Sequence, residues 1–368
     1  MRVTALSGFG TKGPACFLVE IDGARLLLDC GEGPDAGRRP DLSGVGRLDA
    51  VLISHGHGDH VGALDLVPED APLYATAPVI AIAGHPALAR ARPLPLAGET
   101  TIAGVRVETG RASHAPGGVW LRLGGAEGVL YTGDVTAESA VYPLDPFPPA
   151  HIVIADAAYG TWDTPLAEAA LPLLARARAG GPLLLPCPAD GRGLDMALAL
   201  AEILPVRLDP AHRRVAAIAL AHGLVADAAA GAVARLLAET EPLTEDAPLF
   251  GAMIAAGPNA ETGVAAALLA RGGADIVFTG HVAEGTPAAE AVAAGRATFL
   301  RWNVHPRLSD LRALAARTRP QALMPAFLAG ERVGELAEAL AGVRVVESLV
   351  LEASPLTAPR RTPSAARR

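Results

Sequence analysis

The chain has 368 residues, of which 51% are hydrophobic and 19% charged, and a formal net charge of −8. A chain of this size can bury one large core or two moderate ones, and its composition excludes a disordered or fibrous protein. The acidic balance excludes nucleic-acid binding by bulk electrostatics, because phosphate neutralisation needs clustered cations, but it leaves a local basic groove open. Lys12 is the single lysine, so the positive charge rests on arginine, the better bidentate partner for phosphate. Cys16, Cys30 and Cys187 are too few and too scattered for a disulfide framework or a Cys-rich zinc knuckle, and the expected compartment is cytoplasmic. No apolar run reaches membrane-spanning length, and the start lacks the basic and apolar stretches of a signal peptide.

In chain order, strands are expected over 3–6, 16–21 and 25–29, with Asp22-Gly23 as a hairpin turn between the latter two. Gly8 to Gly13 spells G-x-G-x-x-G. A dinucleotide loop requires a helix directly after the glycines, whereas Pro14-Ala15 leads into another strand, so this segment is a turn. A buried strand over 49–54 ends in His55-Gly56-His57-Gly58-Asp59-His60, and a helix starts near Val61. Strands at 72–75, 105–109, 119–123, 128–132 and 152–155 follow, which reads as an α/β sandwich of mixed sheets. From Thr161 the texture changes. Helical patterns at 165–179, 194–203 and 224–240 alternate with short strands at 182–185 and 274–279, the rhythm of parallel βαβ units in an inserted α/β domain. The division is therefore 1–160, an insertion over 161–299, a return over 300–357, and a flexible basic tail at 358–368.

The decisive pattern is H-x-H-x-D-H at 55–60, four potential metal ligands in six residues. In an extended loop His55 and His57 point to the same side and can grip one metal, while Asp59 and His60 turn towards a second. Imidazole and carboxylate donors suit zinc and, less strictly, manganese or iron. His114 in a Gly/Pro loop and Asp134 at the end of Tyr131-Thr132-Gly133 are two further candidates placed after strands.

These motifs together resemble the ordered ligand set of the metallo-β-lactamase superfamily. The resemblance implies a four-layered αββα sandwich with one or two metals, a first metal completed by His114, and Asp134 bridging both. Asp29, in Leu26-Leu27-Leu28-Asp29, resembles the carboxylate that orients the ligand loop. Ile152 to Thr161 around Asp156, the P-A-D-G-R-G stretch at 188–193, Phe278 to Thr286, and Trp302-Asn303-Val304-His305 with Asp310 are similar to the motifs of the β-CASP nucleases, which include ribonuclease J and the cleavage subunit of the mRNA 3′-end machinery. By that resemblance Asp156 pairs with His305, which acts as general acid, and Asp59 takes part in the metal chemistry. Arg192 is a candidate phosphate clamp. The segment Ala322 to Phe327 departs from the pattern: Pro325 is read as standing where the resembling RNA nucleases place a further metal-ligating histidine, and His281 is the one conceivable substitute.

The expected function is a metal-dependent phosphodiesterase acting on nucleic acid, RNA before DNA. Two alternatives stand beside it: a metallo-hydrolase of a small ester, thioester or lactam, and a non-catalytic scaffold derived from such a nuclease. A positive cleft surface would favour the nuclease and an apolar one the small-molecule hydrolase. No membrane partner is expected, and the oligomeric state is left open.

Overall fold

The computed structural model describes residues 1–35 and 37–353; the tail expected at 358–368 lies outside them. In chain order the strands are β1 (Arg2–Ser7), β2 (Cys16–Ile21), β3 (Ala24–Leu28), β4 (Ala50–Leu52), β5 (Leu73–Thr76), β6 (Arg92–Leu94), β7 (Gly98–Ile102), β8 (Val105–Arg111), β9 (Val119–Leu123), β10 (Val129–Tyr131) and β11 (Ile152–Asp156). They continue as β12 (Leu183–Cys187), β13 (Val206–Leu208), β14 (Ala252–Ala256), β15 (Asp275–Phe278) and β16 (Thr298–Phe299), and close with β17 (Ala322–Ala326) and β18 (Val350–Glu352). Three sheets result, in the orders β18-β1-β2-β3-β4-β5-β6, β17-β11-β10-β9-β8-β7 and β13-β14-β12-β15-β16.

The first two sheets face each other, and the two-residue period of their strands makes the layering. Phe17, Val19, Leu26, Leu28, Ile152 and Ile154 point into the core between the sheets, where they meet Val107, Leu121 and Tyr131. Their neighbours point outwards: Leu18, Leu27 and Val51 pack on Val79 and Leu88, and Val153, Ala155 and Leu323 pack on Leu311, Leu314 and Leu336 from the helices Leu308–Thr318 and Val333–Ala339. Strands buried on both faces read as near-continuous apolar runs, as β2, β3 and β11 do. The architecture is thus α/β, a four-layered αββα sandwich. Gly8 to Gly13 forms a turn that enters β2 with no helix between.

The third sheet is parallel throughout, with separate apolar clusters on its two sides, as right-handed βαβ crossovers require. No helix of the described residues is long and apolar enough to cross a membrane.

One glycine is indispensable to the way the first sheet presents its loops. Residues 30–32 run along the ligand loop, with Cys30 N–H donating to the His60 carbonyl at 2.9 Å and Ala15 N–H to the Asp59 carbonyl at 2.8 Å. A Cβ on Gly31 would sit 1.7 Å from the Asp59 carbonyl oxygen, which is backbone and cannot swing aside. Gly31→Ala is expected to destabilise the fold by about 3 kcal/mol, the upper end of overpacking, and to lower metal affinity at the same time. Urea unfolding and metal titration of the variant check both.

Candidate metal centre

The candidate residues lie at the C-terminal ends of strands in the two facing sheets. Asp29 follows β3, the 55–60 loop follows β4, His114 follows β8, Asp134 follows β10, and Asp156 ends β11. Three donor groups form there, each with its ligand atoms within 4.8 Å of one another: His55, His57, His114 and Asp134; Asp59, His60 and Asp134; and Asp134, Asp156 and His305. Asp134 belongs to all three.

Each histidine has one ring nitrogen tied down, which fixes the other. His55 Nδ1 meets Ser54 Oγ at 3.1 Å, His57 Nε2 donates to the Asp190 carbonyl at 2.8 Å, His114 Nδ1 donates to the Val304 carbonyl at 2.8 Å, and His60 Nδ1 meets Asp29 Oδ2 at 2.7 Å. The remaining nitrogens, with His114 Nε2 and His57 Nδ1 only 3.2 Å apart, converge on the space beside Asp134. Such anchoring is the arrangement that orients ligating imidazoles. Asp29 is the hub: its carboxylate accepts from Ser54 N–H, Ser54 Oγ and the Tyr131 hydroxyl, each at 2.7 Å, besides holding His60. Gly133, at φ +57°, lets the chain pass Ser54, whose Cβ would lie 2.8 Å from an added side chain, and so turns Asp134 inwards.

The donor set fits a divalent metal. His55 Nε2 and Asp134 Oδ1 are buried with no hydrogen-bond partner, and such atoms are costly unless something else satisfies them. Burial and the neighbouring His60 and His57 hold His55 well below the usual imidazole range, and burial does the same for His114; both are therefore neutral, the ligating form. Asp134 resists burial because His60, His305 and His114 hold its carboxyl well below the carboxylate range. Burial pushes His57 down, yet the Asp190 carboxylate, 3.5 Å away, carries it up to about 9. A proton must therefore leave His57 when a metal enters. Below about 9 this proton competes with the metal and above it does not, so the apparent affinity should rise up to about tenfold per pH unit from pH 7 and flatten past 9. Calorimetric metal titrations in buffers of different ionisation heat would read that proton directly.

Asp156 and His305 meet as a pair, His305 Nδ1 to Asp156 Oδ2 at 2.8 Å. Burial raises the Asp156 carboxyl, with Asp134 adding to the rise and His305 opposing it. The loop that carries His305 is fastened by Asn303, which donates to Glu138 Oε2 and the Thr164 carbonyl at 2.8 Å each. Arg192 stands outside the three donor groups. It lines the cleft in front of them and donates to Thr279 Oγ1 at 2.9 Å.

Two expectations are corrected here. Pro325 does not reach the site: it pairs with Ala155 and shares the outward parity of Leu323, facing the outer helix layer. The residue that does reach it is Phe327, whose φ of +64° turns its ring onto His60 at 5.4 Å between centroids. His281 is no substitute either, because it meets Asp35 Oδ1 at 3.3 Å and enters none of the donor groups. The group of Asp59, His60 and Asp134 thus has one donor fewer than the other metal group and an apolar ring where a further ligand would fit. Phe327→His, at a φ that histidine tolerates better than most side chains, is expected to tighten a second metal equivalent by roughly tenfold. Metal content after dialysis at graded free metal checks it. Ser54, Tyr131, Asp190, Val304 and Phe327 are the contributors that the sequence did not disclose.

The family model described as metallo-beta-lactamase superfamily matches residues 10–172, a region that holds every candidate donor from Asp29 to Asp156. Over 252 residues the chain is 27% identical to the transcription termination factor FttA of Methanothermobacter thermautotrophicus, covering 55% of this chain and 40% of that protein. It is 43% identical over 86 residues to cleavage and polyadenylation specificity factor subunit 2 of Oryza sativa (22% of this chain, 12% of that one), and 42% identical over 96 residues to Integrator complex subunit 11 of Danio rerio (22% and 16%). The chain therefore spans less than half the length of these relatives. A crystal structure of a protein of unknown function from Enterococcus faecalis shares the fold, with a TM-score of 0.59 at 15% identity over 95% of this chain and 99% of that one. The matched region, the order of the donors along the chain and the αββα architecture coincide, so that residues 10–172, which carry the donor groups, are similar to the metallo-β-lactamase superfamily.

Proposed function

We propose that this chain is a metal-dependent phosphodiesterase that cleaves nucleic acid, RNA before DNA, with zinc as the resident metal and manganese as the alternative. The observation that carries the reading is the pairing of His305 with Asp156 beside the donor groups, because a poised proton donor next to a metal site serves bond cleavage rather than structure. The relatives named for transcription termination and for cleavage and polyadenylation support nucleic acid as the substrate. The cleft measures about 1080 Å³ and sets Lys12, Arg192, Arg214 and Arg301 beside five carboxylates, of which Asp59 and Asp134 belong to the donor groups.

His55, His57, His114 and Asp134 would hold the metal, which when bound would supply Lewis acidity for activating water and neutralising charge on phosphoryl oxygens. The chain does the rest. Asp29 holds His60 in place through Nδ1, and the Asp190 and Val304 carbonyls fix the rings of His57 and His114. Asp156 accepts the Nδ1 proton of His305, leaving Nε2 to deliver a proton to the leaving oxygen.

The test is turnover of end-labelled single-stranded RNA and DNA by zinc- or manganese-loaded protein, with Asp134→Ala alongside to expose contaminating nuclease. Cleavage by the wild type alone supports the reading. Metal retention without cleavage of either strand turns the assignment to a small-ester hydrolase.

A further inference from the structure

The cleft holds two guanidinium groups that the catalytic pair and the donor groups leave unused. Arg301 lies over the faces of Tyr159 and Trp162, its Cζ 4.5 and 4.8 Å from the ring centroids. Arg192 lies flat against Gly280, where a Cβ would come within 2.3 Å of its Nη2, so the absence of a side chain at 280 makes its place. Among the described residues neither arginine has a carboxylate within 4.0 Å. By contrast, Arg307 is paired with Asp310 and Glu138, and Arg122 with Glu108, while the buried Arg207 is satisfied by the Pro248 and Phe250 carbonyls. Both unpaired guanidinia act on one group, the Tyr159 hydroxyl, which burial pushes up and the two positive charges pull back. That hydroxyl is itself fixed, accepting from Val304 N–H at 2.9 Å and donating to the Trp302 carbonyl at 3.3 Å. The Tyr159 ring stands edge-on to His305 at 5.2 Å.

A guanidinium held on aromatic faces keeps its in-plane N–H donors free, and two of them without acidic partners inside a cleft favour an anion. We infer that Arg301, mounted on Tyr159 and Trp162, and Arg192, packed against Gly280, form a subsite for a second phosphate of the substrate, one ring removed from His305 on the leaving-group side. The inference rests on the nuclease reading for the identity of that phosphate, a neighbouring diester of an oligonucleotide. It implies a substrate with at least two linkages, and it distinguishes the chain from an esterase that engages a single phosphoryl or acyl group.

The test uses metal-loaded full-length protein carrying His305→Asn to hold turnover off, titrated with fluorescent RNA hexanucleotides in which one phosphate at a time is a neutral methylphosphonate. With Arg301 present, one position should lose about tenfold in affinity when neutralised. In Arg301→Met, which keeps the stem over Trp162 and Tyr159, the unmodified hexanucleotide should lose the same factor and that position should lose nothing more; Arg301→Lys should restore the discrimination in part. Losses that are the same at every position with and without Arg301 overturn the inference. Inorganic pyrophosphate, titrated in the same proteins, separates the two readings. If no hexanucleotide binds but pyrophosphate weakens severalfold in Arg301→Met, the subsite stands and the nucleic-acid reading falls. If pyrophosphate binding is indifferent to Arg301, the subsite falls.

Discussion

Asp134→Ala is expected to abolish turnover and empty the site in one step. Its carboxylate is the only side chain common to all three donor groups, with Oδ1 3.2 Å from His60 Nε2 and Oδ2 3.5 Å from His114 Nε2. Removing it takes a charged donor from both metal groups and the negative charge that faces His305 at 3.8 Å. Loss of metal-supplied charge stabilisation amounts to several kcal/mol, so activity should drop by at least about a thousandfold, to the contaminant background. A second measurement separates a lost ligand from a misfolded variant. The unfolding midpoint of the wild type should fall when a chelator is added, because metal binds the folded state, and that of the variant should not respond.

Replacing His305 by Asn should leave metal content unchanged and lower kcat by about 10²–10⁴-fold, the usual range for a lost proton donor. The size of the loss should depend on the leaving group. An alkoxide needs the proton and suffers the full effect, whereas p-nitrophenolate departs without it and should be nearly spared. Equal losses on both substrates would mean that His305 shapes the site and transfers no proton. Asp156→Asn should resemble His305→Asn in this selectivity, since Asp156 acts through Nδ1. Burial raises the Asp156 carboxyl, so wild-type turnover should decline as pH falls through that raised value, where the carboxylate takes up a proton and releases the imidazole.

What could be read from the sequence was whatever is local. The donors at 55–60, His114 and Asp134 stand in short motifs next to strand ends, and a strand end at a sheet edge is where a side chain can converge with others. The sandwich was legible for the same reason, because the doubly buried β2, β3 and β11 are short apolar runs bounded by turns. The parallel inserted sheet announced itself in the alternation of helix and strand. What escaped depends on parity or on distance. Pro325 and Phe327 are two residues apart, but the strand Ala322–Ala326 pairs Pro325 with Ala155 on the outward face, and only the register with β11 shows that the residue after the strand turns back onto His60. The anchors of His57 and His114 are backbone carbonyls of Asp190 and Val304, 133 and 190 residues away, and a carbonyl has no signature in the amino-acid alphabet. The helix expected over 224–240 forms as Asp227–Glu239, whereas Pro210–Ala221 escaped, its alanine-rich faces giving little contrast between buried and exposed sides.

The bond from His57 to the Asp190 carbonyl has a thermodynamic corollary. Asp190 sits in the loop after β12, on the far wall of the cleft, so one metal donor takes its orientation from the opposite half of the molecule. Any rocking of the two walls that admits a long substrate must stretch or break that bond and loosen the ring. By reciprocity, a bound metal favours the closed arrangement, and a substrate that bridges the walls favours retention of the metal. Metal loading and substrate loading should then be positively cooperative, so that bound substrate would lower the free metal concentration at which the site empties.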